Sequence, residues 1–201
     1  MSGNGQTRTE RRARVRDAAR AGILEAARRV AVREGARNLS LRSVAAEAGF
    51  APAALYGYFE NRDDLVIALA AEDLGGLARA MRSAAGAPGP NGGFSAAIAT
   101  AMARLESMET MAAASAALAA VRGGASEPER QFNGRLIAAL NALSEASGVK
   151  AEGRPAQGDV LLLAATLTGL AVLARSGRLA ALGFTPEELV QRLDTQFSAR
   201  A

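Results

Sequence analysis

Few side-chain types are available for chemistry in this chain, because its 201 residues include no histidine and no cysteine. Disulfides, thiolate nucleophiles, most zinc sites and the usual neutral-pH proton shuttle are thereby removed. Carboxylates remain for acid–base work, but the paired acids Asp63-Asp64, Glu72-Asp73 and Glu187-Glu188 are each adjacent in sequence. Adjacent residues point to different faces of a helix, and two of the pairs fall at helix starts, where capping and the helix dipole explain them. The glycine-rich stretch AGAPGPNGG at 85–93 follows no strand and lacks the lysine of a phosphate-binding loop. No catalytic residue, metal or cofactor is expected, and the chain reads as a non-enzyme.

Arginine offers a different chemistry, contact with a polyanion. Residues 1–50 carry eleven arginines against five acids, whereas residues 51–201 carry thirteen basic residues against fifteen acids. That asymmetry points to a nucleic-acid partner for the N-terminal part alone, since phosphate neutralisation supplies most sequence-independent affinity. Arg11, Arg12, Arg14 and Arg16 are candidates for an arm reaching a neighbouring minor groove or the backbone. A solvated charged face explains each of them singly just as well.

The elements that must position these residues are helical throughout, because alanine, leucine, arginine and glutamate recur at three- and four-residue spacing. The expected fold is all-α, with a small N-terminal module and a larger helical one. A polar arm over 1–10, expected to be disordered, precedes an amphipathic helix from about Arg11 to Arg33 with Val15, Ala19, Ile23, Ala26, Ala27 and Val30 on one face. Ser40 is placed to cap a helix of barely two turns that ends at Gly49. Pro52 opens a second short helix, reaching about Tyr58. Asn61 caps a longer helix over 61–84, which leads out of a DNA-binding-like module spanning 11–60. Breaks follow at 85–93, near 123–126 and over 148–158; Ser126 with Glu129, and Thr185 with Glu188, have capping-box spacing. A larger domain then covers 94–201.

Two short helices joined by a glycine turn, behind a longer amphipathic helix and within net positive charge, have the pattern of a helix-turn-helix; a helical hairpin inside a core gives the same pattern. Residues 40–65, SLRSVAAEAGFAPAALYGYFENRDDL, resemble the DNA-binding signature of the TetR family of bacterial regulators. Gly49, Leu55, Tyr56, Tyr58, Phe59, Arg62, Asp64 and Leu65 fill the signature positions. The resemblance implies that Ser40 and Arg42 approach the DNA backbone, that Pro52, Ala53, Tyr56 and Tyr58 enter or border the major groove, and that Arg62 holds a phosphate. Hydroxyls and helix starts suit phosphate, and tyrosine offers an oriented donor on a rigid ring. Core packing with the hydroxyl at the surface is the competing reading for both tyrosines, and it is the favoured one for Leu55, Phe59 and Leu65. Ala51 and Ala54 stand where many members carry polar or β-branched residues, so a capping hydroxyl and backbone contacts are missing.

The stretch from Val160 to Ala174 is apolar almost all round. At roughly 22 Å as a helix it is short of a hydrocarbon core of about 30 Å, so a soluble, cytoplasmic protein without a membrane partner is expected. Such a helix must be covered on more than one side. A homodimer is expected through Leu161, Ala165, Thr168, Gly169 and Val172, joined by Leu189 and Leu193 of the last helix, with a central helix in a monomeric bundle as the alternative. By resemblance, the larger module takes a small-molecule effector; Phe94, Met102, Met108, Met111 and Phe132 are candidate walls for an apolar or amphipathic ligand, though most are ordinary core types. The expected function is that of a ligand-responsive repressor on double-stranded operator DNA. A ligand-independent or nucleoid-type DNA binder, and a helical enzyme, are the alternatives.

Overall fold

In a computed structural model the described residues are 8–89, 92–120, 126–148 and 153–198, and among them the chain forms ten α-helices and no strand. The helices are α1 (Arg8–Glu34), α2 (Leu41–Ala48), α3 (Pro52–Leu55), α4 (Arg62–Ala85), α5 (Gly93–Ser107), α6 (Thr110–Ala120), α7 (Glu127–Ser147), α8 (Arg154–Arg175), α9 (Arg178–Ala181) and α10 (Pro186–Ser198), with a 3₁₀ turn at Ala36–Asn38. They divide into two compact units, residues 1–70 with 109–129, and residues 71–108 with 130–201. The division falls inside α4 and α7. Residues 109–129, read from sequence as part of the 94–201 domain, cluster with the first unit, in which α6 lies against the 3₁₀ turn.

In the first unit, Ile23, Leu24, Ala27 and Val30 of α1 are buried with Val44 of α2, Leu55 of α3, Phe59, and Leu65 and Leu69 of α4. Each large side chain buried there contributes about 1.5–3 kcal/mol. Local chemistry sets the element ends. Ser40 accepts from the Ser43 amide at 3.0 Å while the Ser40 amide donates to the Ser43 hydroxyl at 3.2 Å, a reciprocal cap on α2. Gly49 closes α2 at φ 72°, a left-handed conformation that glycine adopts without penalty. The Asp64 amide donates to the Asn61 side chain at 2.9 Å, capping α4.

Three readings of this region change. Helix α1 begins at Arg8, so residues 8–10 of the expected arm are helical, and residues 1–7 lie outside the described ones. Val15, expected on the apolar face, is 65% exposed, because residues 8–18 are all exposed and the helix there is carried by good helix formers such as arginine and alanine. Helix α3 ends at Leu55 rather than near Tyr58: the amides of Gly57 and Tyr58 bond to the carbonyls of Ala54 and Leu55, three residues back, tightening the chain into a turn.

The second unit packs α5 against α8 and α10, around Ile98, Met102, Leu163 and Leu167. The expected break over 148–158 is shorter at its far end, since Pro155 sits in the first turn of α8 and Gly158 lies inside the helix. Glycine costs a helix about 1 kcal/mol, which burial of Val160, Leu163, Leu167 and Ala171 outweighs. Residues 149–152 of that break, 121–125 of the preceding one, and Pro90 and Asn91 of the glycine-rich loop lie outside the described residues. Both expected capping boxes form: Ser126 and Glu129 exchange bonds at 2.6 and 3.4 Å, and Thr185 and Glu188 at 2.9 and 3.2 Å.

Candidate nucleic-acid interface

The two short helices and their turn present an exposed polar and small-residue surface. Leu41, Val44 and Ala45 bury one face of α2, which leaves Ser40 and Arg42 exposed at its start. The Ser40 hydroxyl is engaged as the cap, so its contact with a backbone phosphate would share that oxygen. Leu55 anchors α3 in the core while Pro52, Ala53 and Ala54 face outward. Ala51 occupies the cap position without a side-chain bond. Tyr56, at the end of α3, is 62% exposed, so core packing does not account for it.

Tyr58 is only half-buried, and its surroundings are specific. Its ring meets the edge of Phe50 with centroids 6.4 Å apart and planes at 74°, and the Arg16 guanidinium lies 5.0 Å from its centroid. An Arg16 N–H also donates to the Gly57 carbonyl at 2.6 Å. Leu55, Phe59 and Leu65 are buried, as core packing required.

Ion pairs fix α2 on α1. Glu47 accepts from Arg29 at 2.7 Å and from Arg33 at 3.0 Å. Hydrogen bonds from Arg29 and then Arg33 hold the Glu47 carboxyl below the usual carboxylate range, and bonds to Glu47 and then Glu34 raise Arg33.

Arg62 has a structural occupation that sequence reasoning missed. Its guanidinium donates to the carbonyls of Leu39 at 3.0 Å, Ala36 at 3.2 Å and Arg37 at 3.0 Å, and to Asp63 at 2.9 Å. A residue expected at a phosphate therefore ties the start of α4 to the loop that delivers Ser40. No local pattern could signal this, because the partners lie 23 to 26 residues away.

Residues 23–69, which hold this arrangement apart from Arg16, match bacterial regulatory proteins of the tetR family. The chain carries a tetR-family segment over these residues. Solved structures agree in fold. A TetR-family transcription regulator from Marinobacter aquaeolei VT8 is 20% identical, with 92% of this chain and 97% of that one covered and a TM-score of 0.58. The transcriptional regulator FadR from Bacillus subtilis, solved with stearoyl-CoA, is 18% identical over 89% of this chain and 97% of that one, TM-score 0.59. A protein of unknown function from Rhodococcus sp. RHA1 is 26% identical over 90% and 94%, TM-score 0.61. Comparison with curated protein sequences returns no match.

The remaining candidates fall as follows. Along α8, Leu161, Ala165, Thr168, Gly169 and Val172 form an exposed stripe, while Val160, Leu163, Leu167 and Ala171 form the buried one, two faces of one helical period. Of the last helix, Leu189 is half-buried, but Leu193 is buried within its own unit, where α10 packs on α5; it belongs to the core rather than to a free interface. Phe94 lies 6.2 Å from Phe197, and Met102, Met108 and Phe132 are buried in the second unit. Met111 is half-buried in the first unit, apart from the other four in the division of the chain. A surface groove of about 570 Å³ beside α10, lined by Phe184, Glu188, Leu189 and Arg192 among others, uses none of the expected wall residues. Helix α8 also corrects the length argument: its 22 residues, with mean hydropathy 1.6 over the most apolar window, are long and apolar enough to cross a membrane.

Proposed function

We propose that the chain is a dimeric repressor that binds operator DNA through residues 40–59 and is released by an apolar or amphipathic small molecule. The observation that carries the DNA half is the outward face of α3 and its following turn. Pro52, Ala53 and the 62%-exposed Tyr56 project from a segment whose other side is pinned by buried Leu55 and Phe59, with Arg42 and the exposed Arg11, Arg12 and Arg14 of α1 supplying the charge. A rigid platform with an exposed phenol and small apolar groups suits base edges and thymine methyls in a major groove. The scarcity of bidentate donors places part of the specificity in DNA shape.

Dimerisation is supported by the α8 stripe. Leu161, Leu162 and Val172 are 55%, 66% and 50% exposed in a single chain, and water is a costly neighbour for that much contiguous apolar surface. A second copy laid against Ala165, Thr168 and Gly169 allows close helix approach, and a helix shared by two subunits has the same length and apolarity as one that crosses a bilayer. Effector release is supported by the buried methionine and phenylalanine side chains of the second unit and by the amphipathic stearoyl-CoA of the Bacillus subtilis neighbour. Competition gel shifts at matched salt test the DNA reading. Tyr56→Ala is expected to weaken operator binding about 10-fold or more with unchanged helicity; an unchanged shift contradicts it.

A further inference from the structure

Arg16 stands outside the helix-turn-helix, yet its side chain ends on it. One N–H donates to the Gly57 carbonyl at 2.6 Å and the guanidinium covers the Tyr58 ring at 5.0 Å, while Phe50 closes another edge of that ring. One turn further along α1, Arg20 lies 5.3 Å from the Phe59 ring centroid. Helix α3 is four residues long and runs straight into the Tyr56–Tyr58 turn. A helix that short has little stability of its own, so its orientation must be imposed by groups from elsewhere. Leu55 and Phe59 do this from the core side. On the exposed side Arg16 does it.

We propose that Arg16 is a positioning residue for operator recognition: it clamps the Gly57–Tyr58 turn and so sets the angle at which α3, Tyr56 and Tyr58 meet the groove. The proposal rests on the operator-binding reading above. It assigns Arg16 a role distinct from phosphate neutralisation, and the two roles make different demands. A phosphate contact needs a positive charge, serves every DNA sequence alike, and adds about 0.9 to the slope of log affinity against log salt. A clamp needs the planar guanidinium, because directional donation to a carbonyl combined with stacking over a ring is poorly reproduced by a compact ammonium. It serves the correct sequence above others.

The test compares Arg16→Ala and Arg16→Lys with the wild type on a selected operator and on unrelated duplex DNA across a salt series. Both variants are expected to lose about 5- to 10-fold in operator affinity, with binding to unrelated DNA and the salt slope unchanged. Tyr58→Leu is expected to lose a similar factor, and combining it with Arg16→Ala to add little. Wild-type operator affinity in Arg16→Lys, or an equal loss on both DNAs with a shallower salt slope, overturns the proposal in favour of a phosphate contact. Amide hydrogen exchange at residues 57–59 in the DNA-free protein separates this from the reading beneath it. Faster exchange in Arg16→Ala is expected, and unchanged exchange overturns the clamp. Faster exchange in a chain that prefers no DNA sequence overturns the operator reading and, with it, the recognition role of Arg16.

Discussion

The Nε of Arg62, at the first position of α4, donates to the carbonyl oxygen of Leu39 at 3.0 Å, and the rest of its guanidinium bonds Ala36, Arg37 and Asp63. One side chain thereby satisfies three carbonyls of the 3₁₀ turn and the residue before Ser40, the cap of α2. The orientation of α2 is set by this staple as well as by its own burial. Arg62→Ala is expected to destabilise the protein by about 1–3 kcal/mol, toward the lower end because the side chain is partly exposed. Arg62→Lys is expected to recover little of it, since an ammonium cannot span three carbonyls in one plane. Denaturant unfolding checks both; an Arg62→Ala variant as stable as the wild type, but weaker on all DNA, would point to a phosphate role instead of a structural one.

Glu47 gives a pH dependence with a defined sign. Hydrogen bonds from Arg29 and Arg33 lower its folded-state titration below the unfolded carboxylate value, so its contribution to stability is present above the unfolded value and is lost as pH falls through the folded one. Glu47→Gln is expected to be slightly less stable than the wild type at neutral pH and to converge with it in acid. Thermal melts of the two proteins across the acid range read this directly; parallel curves would show that the pair contributes nothing.

The α8 stripe makes a prediction about assembly. Leu161→Asp with Val172→Asp places two charges on the exposed face without touching buried Leu163 and Leu167. Sedimentation is expected to report a dimer for the wild type and a monomer for the double variant, with helicity retained. Recovery of the wild type in a membrane fraction, or a monomer at all concentrations, would contradict the dimer reading. Leu193→Ala, in contrast, is expected to lower stability by about 2–4 kcal/mol through a core cavity, because Leu193 is buried within its own unit.

Effector chemistry is open to a thermal-shift comparison. A ligand at 100 times its Kd adds about 2.7 kcal/mol to the folded state. Apolar or amphipathic molecules are expected to raise the melting temperature and to release operator DNA. Stabilisation by small inorganic anions alone would contradict an apolar or amphipathic effector.

Features whose causes are local could be read from the sequence. Ser40, Gly49, Asn61, and the Ser126–Glu129 and Thr185–Glu188 pairs act within three or four residues of themselves, and all appear where side-chain chemistry places them. The two stripes of α8 follow from helical period and composition. Features set by distant partners could not be read. Arg16 reaches Gly57 across 41 residues and Arg62 reaches Ala36 across 26, and nothing in the intervening spacing announces either bond. Val15 looked apolar by period but is 65% exposed, and Leu193 looked free by position but is covered by its own unit. In both cases tertiary packing, not helical period, decided whether the side chain is buried.

The central claim, sequence-specific DNA recognition through residues 40–59, is tested most directly by selection of bound fragments from genomic DNA, with the Tyr56→Ala protein run in parallel. The wild type is expected to enrich a few fragments sharing a two-fold site with half-sites about 34–36 Å apart or a multiple of that spacing, and Tyr56→Ala to lose this enrichment. Equal recovery of all fragments by both proteins, with retention set by salt alone, would contradict it.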